Sequence, residues 1–229
     1  MSEDFLAQAP IWYVVFLFST VCHEAAHALV AKWGGDLTAY VGGQVSLDPV
    51  PHIRREPFGL VILPLLMLFT TGSMIGWGSA PYDPYWQIRY PRRAALMALA
   101  GPSTNFFLAL VAALTIRIGM GMEAFEVPML PEAANLISAP GGGALEVAAT
   151  FLSIMFSLNV ILGVFNLLPL PPLDGFNVLG LFISERSMLR LIELSHSAGF
   201  SFFGLLIAWK LFPFMIMPVL RFAIHTLLW

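Results

Sequence analysis

Residues 11–33 read IWYVVFLFSTVCHEAAHALVAKW. The stretch is apolar over most of its length and long enough, as a helix, to cross the ~30 Å of hydrocarbon in a bilayer. Its second half carries His23-Glu24-Ala25-Ala26-His27. Residues four apart lie on one face of a helix. Both imidazoles can therefore offer a nitrogen to a single tetrahedral Zn²⁺, with Glu24 close enough to take a proton from water held there. An acid and two histidines cost roughly several kcal/mol in hydrocarbon, and such residues mark function far more often than packing. The stretch predicts a membrane helix that carries hydrolytic zinc chemistry below the membrane surface.

The rest of the chain agrees with a lipid solvent. Of 229 residues, 58% are hydrophobic and only 11% charged, against about 25% charged in an ordinary soluble domain. Mean hydropathy is +0.80. The net charge of −3 and the absence of a basic tract argue against a nucleic-acid partner. Cys22 is the only cysteine, so no intrachain disulfide forms; at five positions from His27 it is off the histidine face and reads as a small packing residue. The acidic start (Glu3, Asp4) lacks the basic region of a signal peptide, so the first apolar segment is expected to be retained.

Five apolar stretches stand out, at residues 11–33, 58–77, 94–116, 147–168 and 200–220. Between the first two, Thr38-Ala39-Tyr40-Val41 and Gln44-Val45-Ser46-Leu47 alternate around Gly42-Gly43 and predict a small β-hairpin near the active site. Residues 78–91 are expected to be extended, 120–143 to form a Pro/Gly-rich connection, and 184–197 to form an interfacial helix. The expected architecture is an all-α polytopic membrane protein with four to five transmembrane helices, a re-entrant or extra apolar hairpin, and that β-hairpin. A core over about residues 11–184 carries the site, and 200–229 forms a C-terminal transmembrane helix.

Charge separates the two arrangements of residues 58–77. If that stretch spans, the basic residues outside the spans divide equally between the two sides. If it re-enters, Lys32, Arg54, Arg55, Arg89, Arg92, Arg93, Arg186 and Arg190 share a side, and only Arg117 and Arg221 oppose them. The positive-inside rule favours the second arrangement and makes the basic side cytoplasmic. Pro64 and Gly72 suit a broken helix there. Four full spans with both termini outside are expected.

A catalytic zinc takes three protein ligands and leaves one position open. The best third candidate is Asp174, in Leu168-Pro169-Leu170-Pro171-Pro172-Leu173-Asp174-Gly175 beyond the fourth apolar stretch. The prolines prevent a regular helix, and Gly175 permits a tight turn beside the carboxylate. Asn105 and Asn166 are embedded amides. Each reads as an interhelical hydrogen bond, and Asn166 alternatively as a donor to a scissile carbonyl or its oxyanion. His52, His196 and His225 read as surface or interfacial histidines, and Asp48 and Asp83, each before a proline, as turn residues. Trp33, Trp77, Tyr82, Tyr85, Trp86 and Tyr90 form an expected interface belt.

These residues resemble the site-2 proteases, intramembrane zinc metalloproteases of regulated intramembrane proteolysis. The similarity runs in order from Val14 to Gly175. It includes His23-Glu24-Ala25-Ala26-His27, the run Gly43 to Ile53, Gly76-Trp77-Gly78, Gly101-Pro102-Ser103-Thr104-Asn105 like the family's G-P-x-x-N, and Leu173-Asp174-Gly175 like its L-D-G. The resemblance implies one metalloprotease domain over residues 1–229, with His23, His27 and Asp174 as zinc ligands and Glu24 as catalytic base. It also implies that Asn166 holds the substrate strand or oxyanion. The implied substrates are single-span membrane proteins, cut in or near the bilayer by an active site opening to the cytoplasm of a prokaryotic cell. Two rival readings are a catalytically silent zinc scaffold, closed by His52 or Cys22 as a fourth ligand, and a small ion-permeation protein, which needs more polar residues along its spans. A regulatory partner and a homo-oligomer are both open.

Overall fold

The computed structural model describes residues 3–195 and 198–229; His196 lies outside them. The order is α1 (Glu3–Gly34), α2 (Thr38–Val41), α3 (Pro49–Arg55), a π-helical turn (Phe58–Ile62), α4 (Leu63–Thr71), α5 (Pro84–Arg89), α6 (Pro91–Gly121), α7 (Gly143–Asn166), α8 (Asp174–Val178), a 3-10 turn (Leu179–Leu181), α9 (Glu185–Ser195) and α10 (Ala198–Leu228).

Four of these contain segments long and apolar enough to cross a membrane, at Gln8–Gly34, Pro91–Gly121, Gly143–Asn166 and Gly199–Leu228. They coincide with four of the five apolar stretches. α1, α6 and α7 pack together through a core that includes Val15, Phe16, Ala109, Ala112, Ile116, Ile154, Phe156 and Leu158. On α6 the side facing its neighbours is mostly small: Ala94, Ala95, Ala98, Gly101, Ala109 and Ala112 are buried. Small residues let membrane helices approach closely, which matters where lipid removes the hydrophobic drive between them. α10 is peripheral, with Phe203, Phe214 and Phe222 directed outward.

The fifth stretch doubles back. Its helical part, Phe58–Thr71, is too short for the ~20 residues that a span requires. Gly72 ends it in the left-handed region at φ 70°, and the chain returns without regular structure. On the return, Trp77 N–H donates to the Gly59 carbonyl (3.1 Å). A Cβ at Gly76 would strike the Gly59 carbonyl oxygen, Phe16 and Pro64, so only glycine lets the two arms and α1 come this close.

The expected β-hairpin at 38–47 is not formed. Thr38–Val41 is a helical turn, and the described residues contain no strand, only isolated antiparallel bridges between Glu126 and Ser138 and between Glu132 and Asn135. The cause is local. Asp36 Oδ1 accepts from both the backbone N–H (2.9 Å) and the hydroxyl (2.6 Å) of Thr38, a side-chain bond of the kind that starts a helical turn rather than a strand. Gln44, placed on the second strand by its alternation, is instead buried, with Nε2 donating to the Ser79 carbonyl (3.2 Å). Asp48 caps α3 by accepting from Val50 N–H (2.9 Å). Residues 78–91 are extended only as far as Asp83, which caps α5. Of residues 184–197, Glu185–Ser195 forms the helix α9, with Met188 and Ile192 buried on one face.

Candidate metal centre

α1 and α6 run antiparallel, and two four-residue spacings meet between them. His23 and His27 on α1 face Met97, Gly101 and Asn105 on α6. His27 Nδ1–H donates to the Met97 carbonyl (2.7 Å), and His23 Nδ1–H to Asn105 Oδ1 (2.6 Å). Gly101 lies between them. A Cβ there would collide with Nε2 of both histidines, so the rings rest on bare backbone.

The third group arrives from far along the chain. Beyond Asn166 the prolines prevent further helix, and the chain folds back until Gly175 lies against the carbonyls of Leu167 and Leu168, leaving no room for a side chain. α8 begins at Asp174. α10 braces this turn from outside: Gly204 abuts the Pro171 carbonyl, and Ala208 and Phe212 pack with Leu168 and Leu173. Asp174 Oδ2 consequently stands 3.1 Å from His23 Nε2 and 3.3 Å from His27 Nε2, with the two Nε2 atoms 2.9 Å apart. Burial alone would raise the Asp174 pKa; charge and hydrogen bonds from His27 and His23, when their Nε2 atoms carry protons, outweigh this and hold the carboxyl below its usual range.

This donor set fits zinc. Both Nδ1 atoms are committed to oxygens that accept, so each neutral ring turns a lone pair inward at Nε2. In this neutral form two nitrogen lone pairs and a carboxylate oxygen converge on one point. A cation resolves the repulsion. The triangle's edges of 2.9, 3.1 and 3.3 Å approach the ~3.3 Å edge of a tetrahedron with metal bonds of ~2.0 Å. Among the described residues the cluster comprises these three side chains alone. Cys22 is a free, buried thiol outside it, and His52 is engaged elsewhere, at the Ser46 carbonyl (3.0 Å). The fourth-ligand candidates of the closed, structural reading are thus not at the site.

Glu24 is buried beside the histidines, facing the returning arm. A Cβ on Gly78 would come within 2.7 Å of Glu24 Cγ and 3.0 Å of Oε1. Thr20, one turn earlier on α1, meets the same glycine, and its buried hydroxyl has no partner among the described residues. Tyr82 follows on the same segment; burial raises its phenol pKa, the Gln87 hydrogen bond opposes this, and the Asp174 carboxylate adds to the rise. Gln87 is itself tied to α8 through Asn177 Oδ1 (3.0 Å).

The sequence-derived set is thus partly assembled: His23, His27 and Asp174 converge, with Glu24 next to them. Asn166 ends α7, where Nδ2 donates to the Leu162 carbonyl of its own helix (3.1 Å). Asn105, read from sequence as an interhelical hydrogen bond, does bond between helices, and its partner is a histidine of the cluster. Asn159 escaped the sequence reading. Its only signal was an amide inside a highly apolar stretch.

Comparison with known proteins bears on this geometry. The sequence profile of Peptidase family M50 matches residues 11–209. The chain is similar to "Putative zinc metalloprotease YwhC" of Bacillus subtilis (strain 168), 29% identical over 219 residues, covering 94% of this chain and 88% of that protein. It is also similar to "Putative zinc metalloprotease Rip2" of Mycobacterium tuberculosis (strain ATCC 25618 / H37Rv), 33% identical over 178 residues. That match covers 76% of this chain and 59% of the relative. The Rip2 of Mycolicibacterium smegmatis is 28% identical over 164 residues, covering 72% and 54%. No solved structure gives a significant match.

Proposed function

We infer that this chain, which belongs to Peptidase family M50, is an intramembrane zinc metalloprotease that hydrolyses peptide bonds of single-span membrane proteins within or near the bilayer. The observation that carries the reading is the inward meeting of two imidazole lone pairs and one carboxylate, with a buried glutamate alongside and no fourth protein ligand among the described residues. Three ligands and an open position are the arrangement of catalytic zinc, whereas structural zinc is closed by four.

His23, His27 and Asp174 would hold the ion, which when bound lowers the pKa of water toward ~7 and polarises a carbonyl. Glu24 takes the proton from the attacking water and later delivers it to the leaving amine. Its burial keeps bulk water from competing for that proton. Asn166 is proposed to hold the substrate strand or oxyanion; to do so it must release the Leu162 carbonyl.

A helical substrate offers no free backbone groups, so the scissile segment must first unwind. The returning arm, residues 72–83, is suited to receive it: it passes Glu24 at Gly78 and has no strand partner among the described residues. An unwound peptide could pair with it by strand addition. Gly78→Val would press a branched side chain onto Glu24. It is expected to lower kcat about 10²-fold, the order of loss from an ~1 Å displacement of a catalytic group, with zinc content unchanged. Zinc lost along with activity would remove the arm from the substrate path.

The site is proposed to open to the cytoplasm. His27 lies seven residues from Gly34, about 10 Å along a helix, and that end belongs to the basic side of the chain. The proposed setting is a prokaryotic cell membrane. Chelation should abolish cleavage, and Zn²⁺ should restore it. The decisive assay co-expresses the wild type or Glu24→Gln with tagged single-span proteins. A fragment made only by the wild type is expected; identical fragment patterns from the two would end this reading. Cleavage that survives complete chelation would end the zinc assignment.

A further inference from the structure

The bond that orients His23 belongs to a longer chain. Asn105 Nδ2 donates to Asn159 Oδ1 (2.9 Å). Asn159 Nδ2 donates to the Met155 carbonyl (2.9 Å) and to Ser19 Oγ (2.9 Å). Asn105, Asn159 and Ser19 are all fully buried. Ser19 lies on α1, one turn before His23, so the chain leaves the histidine helix, crosses α6 and α7, and returns to α1.

Its direction is set at the far end. The Met155 carbonyl can only accept, so Asn159 must turn its nitrogen toward it. Asn159 Oδ1 then faces Asn105, which must answer with Nδ2. Asn105 Oδ1 is what remains for His23, so Nδ1 carries the hydrogen and Nε2 the lone pair. Reversing either amide would set like groups face to face where no water can relieve them. His27 needs no such help, because the backbone carbonyl of Met97 orients it directly.

We propose that Asn159 is a positioning residue of the metal centre, acting through Asn105 to commit His23 to presenting Nε2 to the ion. The proposal rests on the zinc reading above. It makes a side chain that touches no ligand a determinant of metal affinity, as groups behind metal-bound histidines generally are.

The test is Zn²⁺ affinity of the detergent-purified full chain, measured by competition with a chromophoric chelator. Asn159→Leu keeps roughly the volume but removes the anchor, freeing Asn105 to turn its nitrogen toward His23. An affinity loss of about 10–100-fold is expected. The Asn105→Asp/Asn159→Leu double variant should recover most of it. A carboxylate accepts through either oxygen and needs no orientation, whereas a packing defect at Asn159 would not be repaired by a change at Asn105. Should leucine not fit, Asn159→Ala makes the same cut and is read in the same way. Wild-type affinity in the Asn159 variants, or a double variant no better than the single, overturns the proposal while leaving the metal centre standing. A wild-type chain that binds no zinc overturns the metal-centre reading and this proposal with it.

Discussion

Glu24→Gln is expected to lose cleavage by a factor of about 10²–10⁴, the usual contribution of a general base and acid, while zinc content stays at the wild-type level. The amide keeps the shape of the side chain in its buried place beside Gly78 and removes only its capacity to take a proton. Glu24 is not among the three converging ligands, so the change leaves the donor set intact. Two measurements separate the outcomes: zinc per chain by elemental analysis, and turnover of a tagged single-span substrate. An active Glu24→Gln protein would refute the assigned base. An inactive protein without zinc would show that Glu24 holds the ion rather than the proton.

The second large effect is expected at a residue with no side chain. Gly101→Ala normally favours a helix, by roughly 1 kcal/mol. Here the added methyl would occupy the space of both Nε2 atoms. Either ring could avoid it only by giving up its Nδ1 bond to Met97 or Asn105, or by forcing α1 and α6 apart. The expected result is a protein that melts lower than wild type, because overpacking or a broken buried hydrogen bond costs more than the propensity gain, and that binds zinc about 10²-fold more weakly, the scale on which mispositioned ligands lose metal. Gly121, at the end of the same helix, is the control, because a Cβ there meets nothing within 4 Å. Normal zinc affinity in Gly101→Ala would mean that the two histidines do not converge against this helix.

The spans and the histidine pair were legible because their signals are local. Hydropathy over about twenty residues reports a lipid solvent, and a spacing of four reports one helical face, whatever the rest of the chain does. The doubling back at 58–77 was legible from charge, since a cation pays for its position relative to the membrane regardless of packing. The hairpin at 38–47 was misread because alternation states only which residues share a face. Gly42-Gly43 permitted a turn between two strands, but Asp36 and Thr38 had already closed a helical one.

By itself, then, the sequence determined that the chain lives in lipid, that its first helix carries two imidazoles on one face and an acid beside them, and that an aspartate follows the last proline-rich turn. Only the tertiary structure decided that this aspartate, 151 positions from His23, faces the pair. It alone decided that Gly101 clears room for the rings, and that Asn105 bonds both His23 and Asn159. The reason is geometric. Which residues of separate helices meet depends on how each is rotated about its axis and how closely it can approach. Those quantities arise from the packing of all the helices at once, and no window of sequence contains them.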